Sequence, residues 1–121
     1  MPSEAVMKAA MQAYIDIYNR GNPEAVTALY TDDATVEDPV GTPLKRGRAE
    51  ILNFYTQAMT HNAKLSLDAP IRASHGNAAA MAFSARIGPL SVRVIDVMTF
   101  NEAGKFTSMR AFFGPSDFVQ G

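Results

Sequence analysis

Apolar side chains fall at Val6, Ala10, Ala13, Tyr14 and Ile17, spaced by three and four positions. That period predicts an amphipathic helix over residues 3–20, capped by Ser3 and ended at Gly21. Asn22-Pro23-Glu24 offers a cap, a first-turn proline and a first-turn acid, so a short second helix is expected through about Tyr30. The period then drops to two. Ala34-Thr35-Val36-Glu37-Asp38 reads as a short strand closed by Pro39, followed by a loop over 39–43. A third helix is expected from about Arg48 to Met59, with Ile51, Leu52, Tyr55 and Met59 on its apolar face.

From Lys64 onward the alternation is that of strands. Leu65 and Leu67 alternate, as do Ile71 and Ala73, before a turn at Gly76-Asn77. Ala79, Met81, Phe83, Ala85 and Ile87 share one face of a strand, and Gly88-Pro89 turns the chain. Val92, Val94, Asp96, Met98 and Phe100 share a face of the next strand. After Asn101-Glu102-Ala103-Gly104, Thr107, Met109, Ala111 and Phe113 share a face of the last one. The fold class is therefore α+β, with three N-terminal helices packed on a curved, mainly antiparallel sheet. At 121 residues without a linker or repeat, one domain spanning 1–121 is expected.

Composition removes several functions. The net charge of −1 lacks the basic excess of a nucleic-acid binder or an anionic-lipid binder. With no cysteine there is no thiol nucleophile and no thiolate metal site, and His61 and His75 lack ligand-like spacing, so no metal is expected. No apolar run approaches a membrane span, and Glu4, Lys8 and Asp16 interrupt any signal-peptide core. A soluble, cytoplasmic protein without cofactor is the expectation. His75 reads as a turn residue, and Arg48 and Arg72 as solvated.

Two acids stand out. Asp96 shares strand parity with Val92, Val94, Met98 and Phe100, the side a hydrophobic count turns inward, although Ile95 and Val97 occupy the other side. Asp38 shares parity with Ala34 and Val36 and lies beside a loop that water can reach. A carboxylate in apolar surroundings escapes the cost of ionisation by staying protonated, and is then a donor. Two acids held in opposite protonation states make a base and a donor. The plainer alternatives stay open here. An isolated Asp in a strand pattern also suits an edge or a bulge, and Asp before Pro commonly starts a turn. Tyr14, Tyr30 and Tyr55 read as core tyrosines with satisfied hydroxyls.

The run Tyr30-Thr31-Asp32-Asp33-Ala34-Thr35-Val36-Glu37-Asp38-Pro39-Val40-Gly41 closely resembles bacterial Δ5-3-ketosteroid isomerases. These steroid Δ-isomerases are small members of the nuclear-transport-factor-2-like, or SnoaL-like, group of cone-shaped folds. The resemblance continues in Phe54-Tyr55, Ile71-Arg72-Ala73-Ser74-His75, Val94-Ile95-Asp96 and Ser108-Met109-Arg110-Ala111. It implies that Asp38 is the general base, that Tyr14 and Asp96 are the oxyanion donors, and that Tyr55 bonds to Tyr14. Tyr30 matches a position that is tyrosine or phenylalanine in the family. Phe54, Met81, Phe83, Val94, Met109 and Phe113 match positions lining a steroid pocket. The family is itself the known example of a carboxylic acid held neutral by an apolar site, so the expectation for Asp96 comes from it as well as from strand parity.

Two departures bear on specificity. The stretch 84–93 is shorter than the matching hairpin of familiar members, and the chain has no tryptophan, leaving Phe113 as the aromatic surface. The resemblance also implies a 3-oxosteroid substrate and a homodimer, for which an outer sheet face of Ile95, Val97, Phe106 and Phe112 offers apolar surface. Alternatives within the fold are a polyketide cyclase or an epoxide hydrolase, and a steroid-binding protein without turnover. A hydrolase needs an arginine set between two acids, for which Arg86 and Arg93 are the candidates.

Overall fold

The computed structural model describes residues 1–120. Helix α1 spans Glu4–Asn19, with the Ser3 hydroxyl accepting the Val6 N–H at 3.1 Å. It ends where Gly21, at φ +74°, donates its N–H to the Tyr18 carbonyl. Its buried face is Met7, Met11, Tyr14 and Ile15, while Val6 is 46% exposed. Both stripes satisfy a helical period, and the sheet takes the one bearing the larger side chains. Helix α2 covers only Pro23–Thr27, capped by Asn22, because the chain is already extended at Tyr30.

Strand β1 is Tyr30–Glu37, longer than its alternating pattern suggested. Strand β2, Lys45–Arg46, leads directly into α3, Gly47–Ala58, which buries Ile51 and Tyr55. Strands β3 (Lys64–Leu67), β4 (Ala78–Ile87), β5 (Leu90–Phe100) and β6 (Phe106–Phe112) follow, with a short β7 at Phe118–Gln120. Ile71 and Ala73 form no strand, and only an isolated bridge joins Arg72 to Ala80. The sheet order is β2-β1-β6-β5-β4-β3, with β7 paired to the start of β5. All pairings are antiparallel except β1 with β6. The β4–β5 hairpin closes on Gly88-Pro89, where Gly88 at φ +58° takes the first central position of a two-residue turn.

One strand face differs from simple parity. Phe106 is fully buried in the core, not on the outer face. A bulge displaces the register: Thr99 pairs with Ser108, but Phe100 pairs with Phe106, so the ladder skips Thr107 and the side chain before it turns inward. Phe106 therefore leaves the outer apolar set, in which Ile95 and Phe112 remain 49% and 41% exposed. The core fills the space between the helices and the sheet face that carries Met81, Val94, Met98, Met109 and Ala111. Among the described residues, no helix is long and apolar enough to cross a membrane.

Candidate active site

The even-numbered residues of β5 from Val92 to Phe100 are buried, and Asp96 is among them at 1% exposure. It sits in the middle of a central strand, opposite Met81 on β4 and Ala111 on β6. Its Oδ1 is buried with no hydrogen-bond partner among the described residues. Burial, and after it the negative charge of Asp38, push the Asp96 pKa well above the ordinary carboxylate range. Burial thus favours the protonated form of Asp96, the form that carries a proton to donate.

Asp38 stands one residue beyond β1 and is only partly buried. Its turn is fixed from several sides. Val40 donates its N–H to the Ala111 carbonyl at 2.8 Å, and Thr42 closes on the Pro39 carbonyl. Glu37, on the opposite side of the chain, accepts from the Gly41 N–H and from Arg110 Nε, each at 3.2 Å. Those two donors hold the Glu37 carboxyl below its usual pKa. Among the described residues Asp38 has no such donors. Burial raises it to about 6, opposed by the cation of Lys45 on β2. Near neutral pH it is mostly ionised.

Three tyrosines stand behind the acids. The Tyr55 hydroxyl is 3.0 Å from that of Tyr14 and 2.6 Å from that of Tyr30. Tyr14 and Tyr30 thus meet only through Tyr55, which α3 supplies from the other side of the core. Burial pushes all three phenols well above their ordinary pKa, so all are neutral. A hydroxyl carries one proton. If Tyr14 donates outward, it must accept from Tyr55, which in turn accepts from Tyr30. Each bond in such a chain polarises the next.

Tyr14, Asp38, Tyr55 and Asp96 all border one cavity of about 180 Å³. Phe54, Phe83, Val94 and Phe113 border it too. Met81 and Met109 do not line it. They are buried in the core among Asp96, Met98 and their strand neighbours, so they support the wall without forming it. Tyr30 is likewise behind the wall, in contact through its hydroxyl with Tyr55. Two lining residues went unnoticed in the sequence. Tyr18 lies one helical turn after Tyr14 and so was readable from spacing, whereas His61, after α3, carries no such signal. Among the described residues no arginine lines the cavity, and no cluster of three or more metal-ligating side chains is found. Arg86 bonds to Ser91 Oγ on the hairpin, and Arg93 borders a separate depression beside Ile95 and Phe112.

The SnoaL-like domain family matches residues 11–109. A steroid Delta-isomerase of Nocardioides simplex is 46% identical over 122 residues, covering 95% of each chain. The epoxide hydrolase LasB of Streptomyces lasalocidi is 27% identical over 97% of this chain, which spans 44% of LasB. The solved structure of SalBIII, an epoxide hydrolase/cyclase-like enzyme in pyran ring formation of the polyether salinomycin, superimposes with a TM-score of 0.88. It is 27% identical, with 95% of each chain covered. By its full-length match to the Nocardioides protein and its SnoaL-like domain, the chain belongs to the steroid Delta-isomerase family.

Proposed function

We propose that the chain is a cofactor-independent steroid Δ-isomerase that converts a 3-oxo-Δ5-steroid to its conjugated Δ4 isomer. One observation carries the reading. A single apolar cavity is bordered by an acid able to ionise near neutral pH, Asp38, and by two neutral donors, Tyr14 and Asp96.

The chemistry follows from those states. Asp38, as carboxylate, removes the C4 proton between the carbonyl and the double bond. The C–H electrons form the C3–C4 double bond, and negative charge moves to the C3 oxygen. Tyr14 and protonated Asp96 donate to that oxygen as its charge grows. The enolate electrons then restore the carbonyl and form the C4–C5 double bond. Electrons of the old C5–C6 bond take the proton back from Asp38 at C6. One carboxyl serves both transfers, and the atoms balance without a co-reactant. Tyr55 and Tyr30 act by polarising Tyr14 through the hydroxyl chain.

A hydrolase reading is less well supported, since it needs an arginine between the acids and none lines the cavity among the described residues. Homodimerisation belongs to the same proposal. Ile95 and Phe112 expose apolar surface on the outer sheet face, with the Arg110 guanidinium 5.3 Å from the centre of the Phe112 ring. The decisive assay adds 5-androstene-3,17-dione to wild type and to Asp38→Asn and follows the ultraviolet absorbance of the conjugated enone. Formation by wild type alone is expected. No formation by wild type that nevertheless binds the steroid would replace the isomerase with a carrier.

A further inference from the structure

In the isomerase reading one carboxyl must serve two carbons of the substrate, so its place has to be held closely. Yet the Asp38 carboxyl accepts no hydrogen bond among the described residues. Its placement falls to the backbone that carries it. That backbone leaves β1 at Glu37, the last residue of the parallel ladder, which pairs with Arg110 of β6. Val40 then bonds the turn to Ala111 of β6, and Thr42 closes it on Pro39.

The Glu37 side chain spans this turn. Successive strand residues point to opposite faces, so Glu37 lies on the outer side of the sheet with Arg110, while the next residue, Asp38, borders the cavity. Glu37 Oε2 accepts the Gly41 N–H at 3.2 Å, and Oε1 accepts from Arg110 Nε at 3.2 Å. The first bond joins residues 37 and 41, which flank the segment that holds Asp38. The second ties the bridging side chain to the sheet. Arg110 is itself held, its guanidinium 5.3 Å from the centre of the Phe112 ring. Gly41 stands at φ +102°, so the turn that offers this N–H depends on a glycine.

We propose that Glu37 is a positioning residue for the proton transfer: from the outer face of the sheet it closes the 38–41 turn, with Arg110 as its anchor, and so aims the Asp38 carboxylate into the cavity. The proposal rests on the isomerase reading of that cavity. Glu37 and Arg110 are partly exposed, and an ion pair in such a place contributes little to stability. Its effect is on geometry. Neither residue borders the cavity, so neither touches substrate.

The test measures kcat and KM on 5-androstene-3,17-dione for wild type, Glu37→Ala, Glu37→Gln, Arg110→Met and the double variant Glu37→Ala/Arg110→Met. A small displacement of a reacting group is costly, so Glu37→Ala should lower kcat by roughly 10- to 100-fold with KM held within about twofold. Glu37→Gln keeps an oxygen for the Gly41 N–H and should recover most of the loss. Arg110→Met should cost less than Glu37→Ala, and the double variant no more than Glu37→Ala alone, because Arg110 acts only through Glu37. Wild-type kcat in Glu37→Ala, no recovery in Glu37→Gln, or additive losses in the double variant would overturn the assignment. Equilibrium binding of 4-androstene-3,17-dione separates a misplaced base from a damaged fold: retained affinity in the variants supports the proposal, and its loss overturns it. If wild type forms no conjugated enone, the isomerase reading fails by itself, and hydrogen exchange at the Gly41 amide decides the clamp. Faster exchange in Glu37→Ala than in wild type keeps it, and equal exchange removes it.

Discussion

Replacing Asp38 by Asn should stabilise this protein at neutral pH while removing its activity. In the folded chain burial raises the Asp38 pKa from 3.8 to about 6. The folded state therefore binds this proton more tightly than the unfolded state. Stability falls as pH rises from below 4 toward 6, and above pH 6 the full cost of holding the carboxylate is present. At 1.36 kcal/mol per pH unit the ceiling is about 3 kcal/mol. Asp38 is only partly buried and water screens it, which lowers the expectation to about 1–3 kcal/mol. Asparagine keeps the shape and never ionises. Urea denaturation of wild type and Asp38→Asn at pH 4 and pH 8 isolates the effect, because other carboxylates titrate in both proteins. The variant should gain stability at pH 8 and little at pH 4. An equal difference at both pH values, or none at pH 8, would refute the claim that the fold bears a cost to keep this carboxylate.

The same ionisation sets the acid limb of the rate. Between pH 5 and pH 7, kcat/KM should rise about tenfold with its half-point near 6, and Lys45→Met should move that limb to higher pH by removing the cation that opposes burial. A flat profile across this range would exclude Asp38 as the base. Tyr14→Phe and Asp96→Ala should each lower kcat by about 10²–10³ while the steroid still binds, and wild-type turnover in either would remove that donor from the mechanism. Along the hydroxyl chain the losses should decrease in the order Tyr14→Phe, Tyr55→Phe, Tyr30→Phe, since each step back acts only by polarising the next bond. A larger loss from Tyr30→Phe than from Tyr55→Phe would break the assigned direction.

The element order and the inward direction of Asp96 were readable because β5 keeps strict alternation over its length. Alternation fails where a residue is inserted, which is why Phe106 reads as an outer residue in the sequence and is buried in the fold. The stripe on α1 was ambiguous, with Val6 and Ala10 competing against Met7 and Met11 at the same period. Strands of two or three residues, such as β2 and β7, are too short to show any period. Resemblance named the residues around the acids. It also named Met81 and Met109, which the fold keeps behind the cavity wall. Tyr18 lies outside the matching motifs, and its spacing one helical turn after Tyr14 was the signal that it borders the same space.

The two aspartates differ only in their places on the sheet. Asp96 lies mid-strand with a paired strand on each side, almost fully buried at the cavity wall. Asp38 lies past the end of a strand, beside a turn and within the field of Lys45. Ionising Asp38 makes ionisation of Asp96 harder still, because the first charge raises the second pKa. The arrangement therefore favours a single negative charge in the cavity. In the proposed mechanism proton transfer preserves that number: as the substrate becomes a dienolate, Asp38 becomes neutral, and the charge moves from carboxylate to the oxygen facing Tyr14 and Asp96. The low dielectric that makes a second charge costly also strengthens those two donor bonds. Burial that destabilises the resting carboxylate thus lowers the cost of taking the proton, and the same fold supplies both effects.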